Sequence, residues 1–167
     1  KNTPSVGVDW QNLQVADMDK DGDLDILAVS SHYWDWSLTL LINGGDAFNT
    51  DGAYFFTQPN NYPNCNSCWY PSRAIAIADM NKDLWPDIYV GLNSGQNHLF
   101  FNDATAHFQD KTQSHLSAVG DATRDVDLFD ADLDGDMDIF VTNSGENRLH
   151  LGELAFKLGD VTASNLP

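Results

Sequence analysis

The chain has 167 residues, enough for a domain with a hydrophobic core of its own. It carries 25 Asp plus Glu against 8 Lys plus Arg, a formal net charge of −17, the wrong sign for a nucleic-acid binder that must neutralise phosphates. With 42% hydrophobic and 11% aromatic residues, it is also too apolar for a disordered acidic chain. No apolar run approaches the roughly 20 residues of a membrane helix. The chain starts at Lys1, with no initiator Met and no signal-like segment, and so reads as a mature or excised piece.

In chain order, the first distinctive segment is Asp17-Met18-Asp19-Lys20-Asp21-Gly22-Asp23-Leu24-Asp25, a D-x-D-x-D-G-x-x-D pattern followed by the apolar run Ile26 to Val29. An aromatic stretch, His32-Tyr33-Trp34-Asp35-Trp36, precedes a second strand-length run, Leu38 to Ile42. A polar, Pro-containing loop from Asn60 to Pro71 holds Cys65 and Cys68. The acidic pattern then returns as Asp79-Met80-Asn81-Lys82-Asp83-Leu84-Trp85-Pro86-Asp87, with Leu in place of Gly, ahead of Ile88-Tyr89-Val90. It appears a third time as Asp130-Ala131-Asp132-Leu133-Asp134-Gly135-Asp136-Met137-Asp138, ahead of Ile139-Phe140-Val141.

The first aspartates of the three copies lie 62 and 51 residues apart. The second and third copies also share Asn-Ser-Gly-x-Asn-x-Leu, at Asn93 to Leu99 and Asn143 to Leu149, and each copy runs on to a Phe: Phe48, Phe108 and Phe156. Internal repetition on this scale marks a repeat architecture. Short β-rich runs punctuated by Gly, Asn and Asp indicate antiparallel all-β structure. About four strands per repeat of this length fits a propeller blade. Counting from Asp130 to the C-terminus and on from Lys1 to Asp17 gives 54 residues, so three whole repeats are expected. Three blades are fewer than the ~4–8 of a closed propeller. They are therefore expected either to belong to a longer parent chain or to complete themselves by self-association, as an oligomer or filament.

The loops have the chemistry of a hard cation. Calcium takes about 6–8 oxygen ligands, mainly carboxylates and carbonyls. Side chains at positions one, three and five of a tight loop converge, and a glycine at position six permits the turn. The expected ligands are Asp17, Asp19, Asp21, the Asp23 carbonyl and Asp25 in the first loop. They are Asp79, Asn81, Asp83, the Trp85 carbonyl and Asp87 in the middle loop, and Asp130, Asp132, Asp134, the Asp136 carbonyl and Asp138 in the third. An EF-hand is excluded, because position twelve is Ala28, Val90 or Val141, each within an apolar run. The middle loop departs from the pattern at Leu84 and Asn81, so its ion is expected to be held less well.

These motifs resemble the FG-GAP and VCBS repeats of integrin alpha chains and of many secreted bacterial and fungal proteins. The likeness is closest at Asp79 to Asn93 and at the ending Phe156 to Pro167 with Asp160-Val161-Thr162. It implies blades of a calcium-stabilised β-propeller, approximately 1–64, 65–116 and 117–167, with the acidic loop joining the first two strands of each. It also implies an extracellular, non-enzymatic scaffold for adhesion, assembly or ligand display. Alternatives are a carbohydrate-binding module, or the non-catalytic part of a larger secreted enzyme such as a polysaccharide lyase.

Cys65 and Cys68 form a C-x-x-C pair with several readings. Haem attachment needs a His where Trp69 stands, a zinc site wants a second pair of ligands, and a redox pair expects a βαβ context. A local disulfide in an oxidising compartment is the favoured reading. Tyr33, Trp34, Trp36 and Trp69 are candidates for contact with a sugar or a partner chain, with packing over the end of a blade as the alternative. The five histidines show no ligand spacing, and no nucleophile elbow or phosphate loop is present.

Overall fold

The computed structural model describes residues 10–30, 38–44, 48–55, 72–152 and 159–162. Among them the chain forms three four-stranded antiparallel sheets. The first is β1 (Trp10–Ala16), β2 (Asp25–Ser30), β3 (Leu38–Asn43) and β4 (Phe48–Phe55). The second is β5 (Ser72–Ala78), β6 (Asp87–Leu92), β7 (His98–Asn102) and β8 (Phe108–Asp110). The third is β9 (Thr123–Phe129), β10 (Asp138–Asn143), β11 (Arg148–Leu151) and β12 (Gly159–Thr162). Each sheet pairs its strands in sequence order. The all-β expectation holds, except for one turn of helix, α1 (Thr112–His115), after β8. No helix among the described residues is long and apolar enough to cross a membrane.

Side-chain parity explains how the sheets stack. Successive strand residues face opposite sides, and the middle sheet is covered on both. Every residue of β6 is buried, so Asp87-Ile-Tyr-Val-Gly-Leu92 shows none of the polar alternation of a half-exposed strand. Ile75, Ile88 and Val90 pack toward the first sheet with Met18, Leu27, Val29, Leu38 and Leu40. Ala76 and Tyr89 pack toward the third sheet with Leu99, Phe101, Ile139 and Val141. The leading strands of the repeats, β1, β5 and β9, lie against one another in that order. Packing of sheet faces therefore joins the repeats, supplemented between the second and third by an isolated bridge from Gln96 to Gly120.

A buried polar network spans that second junction. The Asn97 side-chain oxygen accepts from the Leu92 N–H at 2.8 Å and from the Thr123 hydroxyl at 2.9 Å. Its amide nitrogen donates to the Tyr89 hydroxyl at 3.0 Å. In the third repeat Asn147 similarly accepts from the Asn143 N–H at 3.0 Å. The shared Asn-Ser-Gly-x-Asn-x-Leu segment thus closes the second hairpin of its repeat.

Gly91 marks a close approach between these two repeats. A Cβ there would lie 2.5 Å from Thr123 Cγ2 and 3.2 Å from Val126 Cγ2. Overpacking a buried contact of this kind costs about 1–3 kcal/mol. Gly91→Ala should therefore lower the thermal midpoint without changing the far-ultraviolet circular dichroism, and an unaltered melt would show that the junction is loose.

Candidate metal centre

The three acidic loops connect the first and second strands of their sheets and repeat one backbone geometry. The fourth residue is left-handed in each: Lys20, Lys82 and Leu133 have φ of 60°, 61° and 63°. So is the sixth: Gly22, Leu84 and Gly135 have φ of 97°, 74° and 87°. Glycine adopts this region freely, whereas a leucine pays roughly 1–2 kcal/mol. The middle loop therefore has the same turn as its neighbours despite its sequence, and carries strain at Leu84.

Side chains at odd positions fasten the turn. The first-position carboxylate accepts from the sixth N–H: Gly22 to Asp17 at 3.1 Å, Leu84 to Asp79 at 2.8 Å and Gly135 to Asp130 at 3.0 Å. The third-position oxygen accepts from the fifth N–H: Asp21 to Asp19 at 3.2 Å, Asp83 to Asn81 at 2.9 Å and Asp134 to Asp132 at 3.3 Å. The fifth carboxylate accepts from the seventh N–H: Asp23 to Asp21 at 2.9 Å, Trp85 to Asp83 at 2.8 Å and Asp136 to Asp134 at 2.8 Å. Each bond curls the chain inward and orients an acidic group around one centre.

The ninth residue, fully buried in all three copies, ties the loop to its sheet. One oxygen of Asp25 accepts from the Met18 N–H at 2.8 Å and the other from the Asn43 N–H at 2.8 Å. Asp87 accepts from the N–H groups of Met80 and Asn102, both at 2.9 Å. Asp138 accepts from Ala131 at 2.6 Å and Gly152 at 2.7 Å. Burial pushes the Asp87 carboxyl up to about 7, against the lowering effect of its two N–H donors and with help from Asp83 and Asp79. Burial also raises Asp25, with Asp19 and Asp21 adding to it.

Ligand atoms of Asp17, Asp19 and Asp21 lie within 4.8 Å of one another, as do those of Asp130, Asp132 and Asp138. In the middle loop Asn81 supplies an amide at the third position, where its nitrogen donates to Asp83 Oδ2 at 2.9 Å. Asp17 Oδ1 is buried without a hydrogen bond, an acceptor for which a cation would be the natural partner. In the first and third loops the side-chain donor set is all oxygen and anionic, which suits a hard divalent ion. At position seven the side chains diverge: Asp23 is exposed, the Trp85 ring lies under the Lys20 ammonium, and Asp136 pairs with Lys82.

Twelve of the fifteen expected loop residues thus lie between the first and second strands of their sheets, and the ninth ones, Asp25, Asp87 and Asp138, begin the second strands, each engaged by two main-chain donors. Cys65, Cys68, Tyr33, Trp34, Trp36 and Trp69 lie outside the described residues. Sequence reasoning missed Asn102, whose side-chain amide donates to the Met18 carbonyl at 2.9 Å and the Pro86 carbonyl at 3.2 Å, joining the first loop to the second. The signal was present: Asn43 and Asn102 both end the third strand of their repeat.

The chain belongs to the FG-GAP-like repeat family, whose model matches residues 17–90 and 79–141. No curated protein matches the chain.

Two predictions follow from the loop geometry. Leu84 is exposed, so Leu84→Gly loses no packing and relieves the left-handed strain. It should raise stability by about 0.5–1 kcal/mol in a denaturant melt, although glycine ordinarily destabilises. The second concerns pH. With its folded value near 7 and an unfolded one near 3.9, Asp87 binds more protons in the folded, metal-free chain. That chain should lose stability as pH rises from about 4 to about 7 and then level off. Calcium requires the ionised form, so in millimolar calcium the melting temperature should instead climb over the same window.

Proposed function

We propose that the three loops bind calcium and that the chain is an extracellular scaffold of β-propeller-type blades, serving adhesion or assembly and not catalysis. The observation that carries this reading is the convergence of Asp17, Asp19 and Asp21 in a turn whose hydrogen bonding recurs in all three repeats. A solvated turn has no need of such repetition. Five carboxyl groups in nine residues, as in the first and third loops, repel one another, and Asp132 shows the effect. Desolvation chiefly, and then the charges of Asp134, Asp138 and Asp130, hold its carboxyl above the ordinary value.

In this reading Asp17, Asp19 and Asp21 hold one ion, and Asp130, Asp132 and Asp138 another. Asp79, Asn81 and Asp83 make the weaker middle site. The ion supplies the positive charge that lets these carboxylates share one turn. Asp25, Asp87 and Asp138 orient the turns from within, each through one main-chain N–H of its own loop and one of the far hairpin, and their ionised carboxylates complete the three sites. Membership in a repeat family found in integrin alpha chains and secreted proteins supports the extracellular setting.

A ligand that binds only the folded state adds about 2.7 kcal/mol per site at one hundred times its dissociation constant. Calcium should therefore raise the thermal midpoint by many degrees over chelator-treated protein, and Asp17→Asn combined with Asp130→Asn should remove most of that gain. An identical melt in excess chelator and in millimolar calcium would defeat the proposal.

A further inference from the structure

The two described side-chain bridges between neighbouring loops follow one rule. Lys20, fourth residue of the first loop, places its ammonium 4.6 Å from the centre of the Trp85 ring, the seventh residue of the second loop. Lys82, fourth residue of the second loop, pairs with the carboxylate of Asp136, the seventh residue of the third. Both lysines hold the same left-handed backbone, so they leave their loops from equivalent positions. The fourth residue of one repeat thus latches onto the seventh residue of the next. At the two ends of the stack the rule leaves Asp23, which is exposed and makes no ion pair among the described residues, and Leu133, which is 86% exposed.

An apolar strip accompanies the first of these. Leu13 and Val15 are 56% and 51% exposed, and on β1 they pair with Ala28 and Ile26. Ile75 and Ile77 hold the same places on β5, opposite Val90 and Ile88, and there they pack into the core shared with the first repeat. The face that β5 uses to receive a preceding repeat is therefore displayed by β1 with nothing upon it among the described residues.

We infer that the open face of the first repeat, Leu13 and Val15 beside Asp23, is a docking surface for another repeat of this family that carries Lys or Arg at its fourth loop position. The junctions already present define the fit, since each couples an apolar sheet face to a lysine latch. A second copy of this chain is the wrong occupant. Its third repeat offers Leu133 where the latch needs a cation. It also has Asp125 and Asp127 on β9 where β5 has Ala74 and Ala76, and pressing those carboxylates against Leu13 and Val15 would desolvate them unpaired.

The test uses a probe made from the chain itself. Leu133→Lys, Asp125→Ala and Asp127→Ala repair its third-repeat face, and Val15→Lys blocks its own first-repeat face. Mixed with wild-type chain in millimolar calcium, the probe should form a one-to-one complex in sedimentation velocity. That complex should be at least about tenfold tighter than any association between wild-type chains, a difference near 1.4 kcal/mol. Val15→Lys in the receptor should abolish it, and Asp23→Lys should weaken it by about tenfold. Circular dichroism confirms that each variant is folded. No complex, a complex indifferent to Val15→Lys in the receptor, or equally tight association of wild-type chains would each overturn the inference. Docking rests on the packing of the repeats, so a calorimetric calcium titration of the wild-type chain reports separately on the loops.

Discussion

Burying a carboxylate is costly unless main-chain donors replace the water it loses, and Asp25, Asp87 and Asp138 meet that condition in the same way. Each receives one N–H from the second residue of its own loop and one from the last residue of the third strand or, for Asp138, the residue just after it. Three parts of a repeat that would otherwise move independently, the turn, the second strand and the far hairpin, are joined at a single side chain. The cluster of charge at the top of the loop can form only because its base is held in this way. Burial is also what raises the Asp87 carboxyl.

Neighbouring repeats are joined by different means. Between the first two the main contact is apolar, with Met18 and the faces of β2 and β3 against Ile75, Ile88 and Val90. Asn102 adds a polar tie to the Met18 carbonyl. Between the second and third, a smaller apolar cluster is supplemented by the network of Tyr89, Asn97 and Thr123. Gly91 permits that closer approach, because a side chain at its position would collide with Thr123. The loops add a rim of lysine contacts. The Lys20 contact with Trp85 is exposed, and such contacts are worth about 0.5–1 kcal/mol, so the rim sets register more than it supplies stability.

Much of this was legible in the sequence. The acidic pattern located all three turns, and the apolar run after each located the second strand, because both signals are local. The division of labour within a loop was not. Asp25, Asp87 and Asp138 read as ligands like their neighbours, and their second duty was hidden: their oxygens also accept from main-chain donors, one of them 18, 15 and 14 residues away. Leu84 read as a departure that would hold its ion less well; what the sequence did not show is that its backbone takes the same left-handed form as Gly22 and Gly135. The bonds to the Asp79 and Asp83 side chains impose the geometry whatever residue stands there. Lys20 and Lys82 carried no signal at all, since their partners lie in other repeats, and only the stacking of sheets brings them together.

Among the described residues every sheet is assembled from strands consecutive in the chain, and none borrows a strand from a neighbour. A gene encoding such a protein can therefore gain or lose a whole unit by unequal recombination without leaving any backbone ladder half made. Only the faces between units must be reconciled afterwards, a task for a few point substitutions at positions such as 91, 125 and 133. Copy number and partner choice can thus drift separately, with the internal bracing of each unit left untouched.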